Sequence, residues 1–295
     1  MCGNTDESQE RYPERLDPDR LDALSYAARK EPDYMSLRMV VCPGCDLLYA
    51  PRVPSVDFLA RAYMDTGYDS DEPARYAAAS YAAAVSARLE LLPDRTSALE
   101  IGAGNGALLA SLGAMGFGEL VGIEPSRAAA QAAAPEVRGL IRIESFDPKR
   151  LPRGHFALVI ANQTLEHVAD PLGLLGAVRG LLKPGGALMI VSHNYRHWLM
   201  RLLGARSPII DIEHLQVFSP ASLGVALQRA GFAEAVIRPF ANRYPLHYWT
   251  RLMPIPRAVK RPLYGWLRRG AGLGGSLGRR TLQASVGNML VWARA

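Results

Sequence analysis

From Ser97 to Phe240 the chain repeats one pattern: a short apolar run with little charge, a glycine or polar turn, then a stretch with helical character. The runs are SALEIG, ELVGIEP, GLIRIESF, FALVIAN, GALMIVSHN and AEAVIRPF, with NMLVWAR near the end of the chain. Such runs suit strands buried on both faces, and strands alternating with helices build a doubly wound, mostly parallel sheet. The segments between them carry helix signals. Asp170 before Pro171 and Ser219 before Pro220 each place a capping side chain ahead of a proline at the first helical position. The expected fold class is α/β. Residues 1–72 read as a small N-terminal lobe and residues 73–295 as the main domain, opened by an alanine-rich helix over 73–92 and interrupted by a basic insertion over 250–280.

The turn after the first run narrows the chemistry. LEIGAGNG puts Glu100 just before Gly102, Ala103, Gly104, Asn105 and Gly106. Without a Cβ the backbone approaches a ligand closely and positive φ is cheap, and the helix start beyond it adds unpaired N–H donors. Gly102, Gly104 and Ala107 also fit the dinucleotide spacing G-x-G-x-x-G/A, so the turn alone leaves the ligand open. Glu124, in VGIEPS, ends the second run 22 positions after Gly102, where a carboxylate accepts the ribose hydroxyls of a nucleoside. Glu100 separates the alternatives. A pyrophosphate gains nothing from an anion before the first glycine, whereas a ligand with a positively charged amine does. S-adenosylmethionine carries such an amine and a sulfonium, and no phosphate.

In order, ALEIGAGNG, VGIEPS, FALVIANQTLEHVADP and LLKPGGALMIVSHN resemble the segments of the class I S-adenosylmethionine-dependent methyltransferases, from about Thr96 to Phe240. The resemblance implies a Rossmann-like sheet of seven strands with the last antiparallel, and methyl transfer to a small molecule such as a sugar, a lipid-linked glycan or a natural-product intermediate. It places the glycine turn under the methionine moiety and Glu124, with Pro125 beside it, on the ribose. Ser145 and Phe146 fall around the adenine, Ser145 standing where the family commonly has an acid, and Asn162 and Gln163 fall near the methyl group. Two alternatives stay open: an NAD(P)-binding oxidoreductase of related fold, disfavoured by Glu100 and LLKPGG, and a cofactor-binding subunit without catalysis.

Transfer from a sulfonium needs in-line placement of the nucleophile and, where that nucleophile carries a proton, a base at a strand's carboxyl end or in the loops above. Three histidines meet that condition: His167 in QTLEHV, His193 at the end of the fifth run, and His214 in DIEHLQVFS. Glu213 beside His214 orients an imidazole and raises its basicity; packing onto the following helix is the other reading of His214. A structural or cofactor-side role competes for His167, and His193 leans towards scaffold.

VVCPGCDLLY places Cys42 and Cys45 at zinc-knuckle spacing, with Gly44 in the turn. The segment resembles the second half of the small zinc-binding lobe of deoxysugar C-methyltransferases, where two C-x-x-C pairs flank a hairpin. That comparison matches Cys2 to the second cysteine of the first pair, whose partner falls before Met1. It implies a structural zinc on Cys2, Cys42 and Cys45, Glu213 with His214 as a catalytic pair, and Tyr63 or Tyr68 as lid residues. Those enzymes also have a further large C-terminal domain, where this chain has only a short basic tail.

The net charge of +6 belongs to that tail. No Asp or Glu follows Glu234, and the eleven basic residues from Ala235 onward leave the rest of the chain at −5. Within it, YPLHYWTRLMPIPRAVKRPLYGWLRRG interleaves aromatic, aliphatic and cationic residues, which fits a membrane-interface segment or a cationic mouth for a phosphorylated substrate, against a solvated arginine face over a packed core. No nucleic-acid module accompanies the charge. The expected partner is a small-molecule substrate; the oligomeric state is unknown from sequence. Three cysteines, an acidic N-terminus and the lack of any run of ~18 apolar residues make a cytoplasmic location the expectation.

Overall fold

The computed structural model describes residues 2–4, 7–28, 31–269 and 272–295. The chain opens with β1 (Gln9–Tyr12), β2 (Met39–Val41), β3 (Leu48–Tyr49), α1 (Val56–Asp65) and α2 (Asp71–Ser86). The alternating region follows as β4 (Ser97–Ile101), α3 (Ala107–Ala114), β5 (Glu119–Ile123), α4 (Arg127–Gln131), α5 (Pro135–Arg138), β6 (Ile141–Arg142), β7 (Phe156–Ile160), α6 (Pro171–Leu181) and β8 (Leu182–His193). It continues through α7 (Trp198–Leu203), β9 (Gln216–Val217), α8 (Pro220–Arg229) and β10 (Glu234–Pro245). Helices α9 (Leu246–Leu252), α10 (Arg257–Arg269) and α11 (Leu273–Arg279) precede β11 (Thr281–Arg294).

The seven strands of the large sheet run in the order β10-β11-β8-β7-β4-β5-β6, with β11 antiparallel to both neighbours and β4 to β8 parallel. This is the expected Rossmann-like α/β sheet. Every residue of β4 and β7 is buried, as the charge-poor runs require of central parallel strands. On one face lie Leu174, Leu175 and Val178 of α6 and Leu223 and Leu227 of α8; on the other lie Ala77, Ala78 and Tyr81 of α2 and Leu108, Leu109 and Leu112 of α3. Asp170 and Ser219 cap α6 and α8 as expected, Asp170 accepting from Gly173 N at 2.8 Å and Ser219 forming a reciprocal pair with Ser222.

Three local expectations change. GLIRIESF forms a strand only at Ile141 and Arg142, so Ser145 and Phe146 sit in a loop. SRAAAQAAAP, whose alanines favour one continuous helix, is instead split: α4 ends at Gln131, and Ala134 is extended ahead of Pro135, which starts α5. The last two strands outrun their apolar cores: Asn242–Pro245 pairs with Thr281–Ala284 as a ribbon that carries α9 to α11. The stretch GAGLGGSLG begins with Gly270 and Ala271, which lie outside the described residues.

The second sheet, β1-β2-β3-β9, is antiparallel, and its last strand comes from after the large-sheet strand β8. Met35, Met39 and Leu48 pack there against Ile210, Ile212 and Val217. The N-terminal lobe therefore shares a sheet with Gln216 and Val217, two residues beyond His214. Among the described residues no helix is long and apolar enough to cross a membrane.

Candidate active site

A cavity of about 870 Å³ opens at the carboxyl ends of β4, β5, β7 and β8, closed over by α1, α2 and α9. That position is where parallel α/β sheets bind ligands. Glu100, 5% exposed, lines its floor at the end of β4. Gly102, Gly104 and Gly106 have φ of 78°, 56° and 70°, the left-handed region that glycine enters cheaply. They do different work. A Cβ on Gly102 would stand 2.7 Å from Thr164 Oγ1, and one on Gly106 would meet Ile141 and Val137 at 3.0 and 3.1 Å, whereas one on Gly104 would meet nothing within 4 Å. Gly102 and Gly106 allow close packing; Gly102 and Gly104 both line the cavity, but of the three only Gly104 has room for a Cβ.

Glu124 holds the turn. Its Oε2 accepts from Gly104 N at 2.7 Å and its Oε1 from Ser126 N at 2.8 Å. Each carboxylate oxygen has a second lone pair, which suits a ligand's paired hydroxyls. Asn105 Nδ2 donates to Asp71 Oδ1 at 2.7 Å, tying the glycine turn to the start of α2. Ala103, Asn105, Pro125, Ser145 and Phe146 line the same cavity.

At the end of β7, Asn162 Oδ1 accepts from Val191 N at 2.9 Å. Its buried Nδ2, on a cavity-lining residue, has no hydrogen-bond partner among the described residues. Gln163 adopts φ 52°, rare for a side chain of its size; such strain concentrates at functional positions.

Three imidazoles gather above these residues. The rings of His167 and His214 lie 4.8 Å apart, and those of His193 and His214 5.3 Å apart. His214, 5% exposed, faces the Ile209 carbonyl with Nδ1 at 3.0 Å. A carbonyl only accepts, so Nδ1 carries a proton. His167 is fixed likewise: Nδ1 lies 3.1 Å from the Glu213 carbonyl and 3.2 Å from Tyr63 Oη. The Glu213 carboxylate stands 3.9 Å from His167 Nδ1. Burial pushes the Tyr63 hydroxyl well above its ordinary value, and Glu213, Tyr26 and Asp211 add to the shift, so it stays protonated. His193 Nδ1 sits 2.9 Å from Asn288 Oδ1. Tyr68 also lines the cavity.

Sequence reasoning passed over Glu166, which is 0% exposed. Its Oε1 accepts from Ser192 Oγ and His193 N, both at 2.7 Å, and its backbone carbonyl accepts from Leu215 N, latching His167, His193 and His214 to one another. It stands beside His167 in TLEHV, where its neighbours gave no signal of burial. Asn288 and Asp71, from remote segments, carried none.

The three cysteine sulfurs lie within 4.8 Å of one another, Cys2 and Cys42 at 3.5 Å. Burial pushes the Cys45 thiol up to about 12, while the Asn4 backbone N–H lowers that of Cys2. The cluster offers three thiols where structural zinc takes four ligands. Asp46, next to it, accepts from Tyr195 Oη at 2.7 Å and pairs with Arg196, joining the knuckle to the loop after β8.

Residues 73–235 match the family described as Methyltransferase domain. The chain belongs to that family, and its sheet has the class I S-adenosylmethionine-dependent methyltransferase order. It is 38% identical over 172 residues to a ubiquinone biosynthesis O-methyltransferase of Bradyrhizobium sp. (strain ORS 278), covering 50% of this chain and 64% of that one. A protein of the same description from Rhodopseudomonas palustris (strain BisA53) is 30% identical over 113 residues, 36% of this chain and 44% of that one. The chain thus spans roughly half the length of these two relatives. A SAM dependent methyltransferase from Archaeoglobus fulgidus shares the fold at TM-score 0.50 and 20% identity, covering 76% of this chain and 97% of that one.

Proposed function

We propose that the protein transfers a methyl group from S-adenosylmethionine to a hydroxyl of a small molecule, with His214 as general base. The observation that supports this is the placement of His214: it lines the cavity with its Nδ1 3.0 Å from the Ile209 carbonyl, an arrangement in which Nε2 would be the nitrogen that takes a proton. The cofactor fits the residues present. Glu100 and Glu124 set negative charge about the turn, which suits an amine and ribose hydroxyls; the open side of Gly104 leaves room, and Asn162 offers a buried donor.

When bound, the cofactor supplies a methyl group on a sulfonium, already an excellent leaving group. Glu100, Gly104 and Glu124 would hold it, and Phe146 and Ser145 line the same cavity. His214 takes the acceptor's hydroxyl proton on Nε2, and the Ile209 carbonyl stabilises the imidazolium through Nδ1–H. His167 and the protonated Tyr63 position the acceptor. The ubiquinone-biosynthesis relatives, named as O-methyltransferases, support a hydroxyl over a carbon or nitrogen nucleophile.

The test uses methyl-labelled cofactor with a panel of phenolic acceptors. Transfer that falls about 10²–10⁴-fold in His214→Gln, with cofactor affinity unchanged, is expected; full transfer by that variant would remove the base. A structural zinc on Cys2, Cys42 and Cys45 would stiffen β3, which pairs with β9 just past His214. With three thiols from the cluster a water or a further group would have to complete the site; metal analysis of the purified chain tests it, zinc bound in proportion to protein supporting the reading and none ending it. Three free thiols in one cluster suit a reducing compartment, the cytoplasm.

A further inference from the structure

Six of the fifteen exposed large apolar side chains fall between Met253 and Leu282, among the described residues. This is far more than a tenth of a chain's length would carry by chance, and exposed apolar area so concentrated marks a contact surface. Its arrangement follows from helical spacing. In α10 the inward side is set by Lys260 and Leu267, which are buried and seven residues apart. Ala258, Pro262 and Trp266, four apart, and Val259 beside them are exposed and share the outward side. Leu273 and Leu277, 81% and 36% exposed, stand four apart on α11.

Cations border this strip. Arg257, Arg261 and Arg268 follow the same helical spacing along α10, and Arg269, Arg279 and Arg280 are exposed near it. None of the six has an acidic partner among the ion pairs of the described residues. The basic groups that face inward are spent differently: Arg251 pairs with Asp69 at 2.6 Å and Lys260 with Glu31 at 3.3 Å, and His247 Nε2 lies 3.1 Å from Glu72. Arg268 lies over the Tyr264 ring at 5.7 Å and shares a pocket with Asp69, Asp71 and Glu72, whereas the other five outer cations stand without an acid among the described ion pairs, which suits an anionic partner. Gly274 and Gly278 let α11 lie directly on α10, since any Cβ at either would overlap the other helix. The surface is a fixed platform.

The same segment reaches the active site. Trp249, Leu252, Met253 and Pro254 line the cavity, and Met253 is also 44% exposed. Met253 therefore belongs both to the exposed apolar set and to the cavity lining.

We propose that α10 and α11 dock on the surface of an anionic lipid bilayer, with arginines on the phosphates and the apolar strip among the acyl chains, so that an acceptor carried in that bilayer enters beside Met253. Guanidinium groups suit phosphate oxygens, and this balance of one apolar and one arginine-rich face is that of an interfacial helix. The docking stands on the surface alone; the lipid-borne acceptor rests on the methyl-transfer reading.

The test is co-sedimentation of the full chain with phosphatidylcholine vesicles, with and without phosphatidylglycerol, at low and high salt. Wild type is expected to bind the anionic vesicles at low salt and to release at high salt. At about fivefold per cation near the surface, the triple change Arg257→Ala, Arg261→Ala and Arg268→Ala weakens binding on the order of a hundredfold. The pair Val259→Glu and Leu273→Glu is expected to abolish it. All five residues are exposed, so wild-type melting curves are expected for both variants. No binding at low salt overturns the proposal, as does binding that survives either variant. Self-association through these residues without vesicle binding would assign the face to a second copy and also overturn it. Calorimetry with S-adenosylmethionine on the same preparation reports the cofactor reading separately, so the two can fail independently.

Discussion

Gly102 and Gly104 are two positions apart and make opposite demands, which a pair of alanine substitutions separates. At φ 56°, Gly104→Ala costs about 1–2 kcal/mol for a Cβ in the left-handed region, of which about 0.4–1 kcal/mol returns from the stiffer unfolded chain. The net loss is about 1 kcal/mol, a fall in Tm of about 2–4 °C for a chain of this size, because the new methyl meets nothing in the protein. Gly102→Ala carries the same backbone cost and puts its Cβ 2.7 Å from Thr164 Oγ1. That hydroxyl is held by the Ile101 carbonyl at 2.9 Å and the Asn162 carbonyl at 3.2 Å, so it moves only by breaking hydrogen bonds. Overpacking of this kind adds about 1–3 kcal/mol. Urea denaturation should therefore rank Gly102→Ala as much the less stable. Calorimetry should rank the binding defects otherwise: Gly104→Ala, nearly as stable as wild type, loses S-adenosylmethionine affinity about tenfold or more, since its methyl fills the ligand's space. Wild-type affinity in Gly104→Ala, or equal destabilisation by both, would refute the assignment of one glycine to packing and the other to the ligand.

Glu124→Gln must turn an amide NH2 towards either Gly104 N–H or Ser126 N–H, so it should lower stability by about 1–3 kcal/mol in denaturant melts; a variant as stable as wild type would contradict the bonds drawn to Glu124. Hydrogen bonds from the Thr96 hydroxyl and backbone N–H, then Lys183, hold Asp94 down to about 2, below its ordinary 3.8. A depressed carboxyl stabilises above its ordinary value and loses that contribution as pH falls through the lowered one. Asp94→Asn should thus be less stable than wild type at neutral pH by a margin that shrinks from pH 3.8 towards about 2; a margin constant with pH would contradict it.

The parallel strands were legible because their burial on both faces writes itself as unbroken apolar runs, and the caps at Asp170 and Ser219 because capping is local. The strand after Gly139 was over-read: Leu140 and Ile143 look like strand residues, yet β6 is the sheet's edge and gains only two paired positions. The glycine turn was legible as a turn, but the division of labour among Gly102, Gly104 and Gly106 depends on Thr164, Val137 and Ile141, which only tertiary packing brings close. The same limit hid Glu166 and Asn288. Nor could spacing show that the Glu213 carboxylate comes within 3.9 Å of His167, or that the Ile209 carbonyl meets His214 Nδ1.

Isothermal titration of the protein with S-adenosylmethionine, S-adenosylhomocysteine and NAD decides what the acid-flanked glycine turn was shaped to hold. Saturable uptake of both sulfur nucleosides, one per chain, with no heat from NAD, is the predicted result. Saturable binding of NAD, or silence towards the two sulfur compounds, would contradict it.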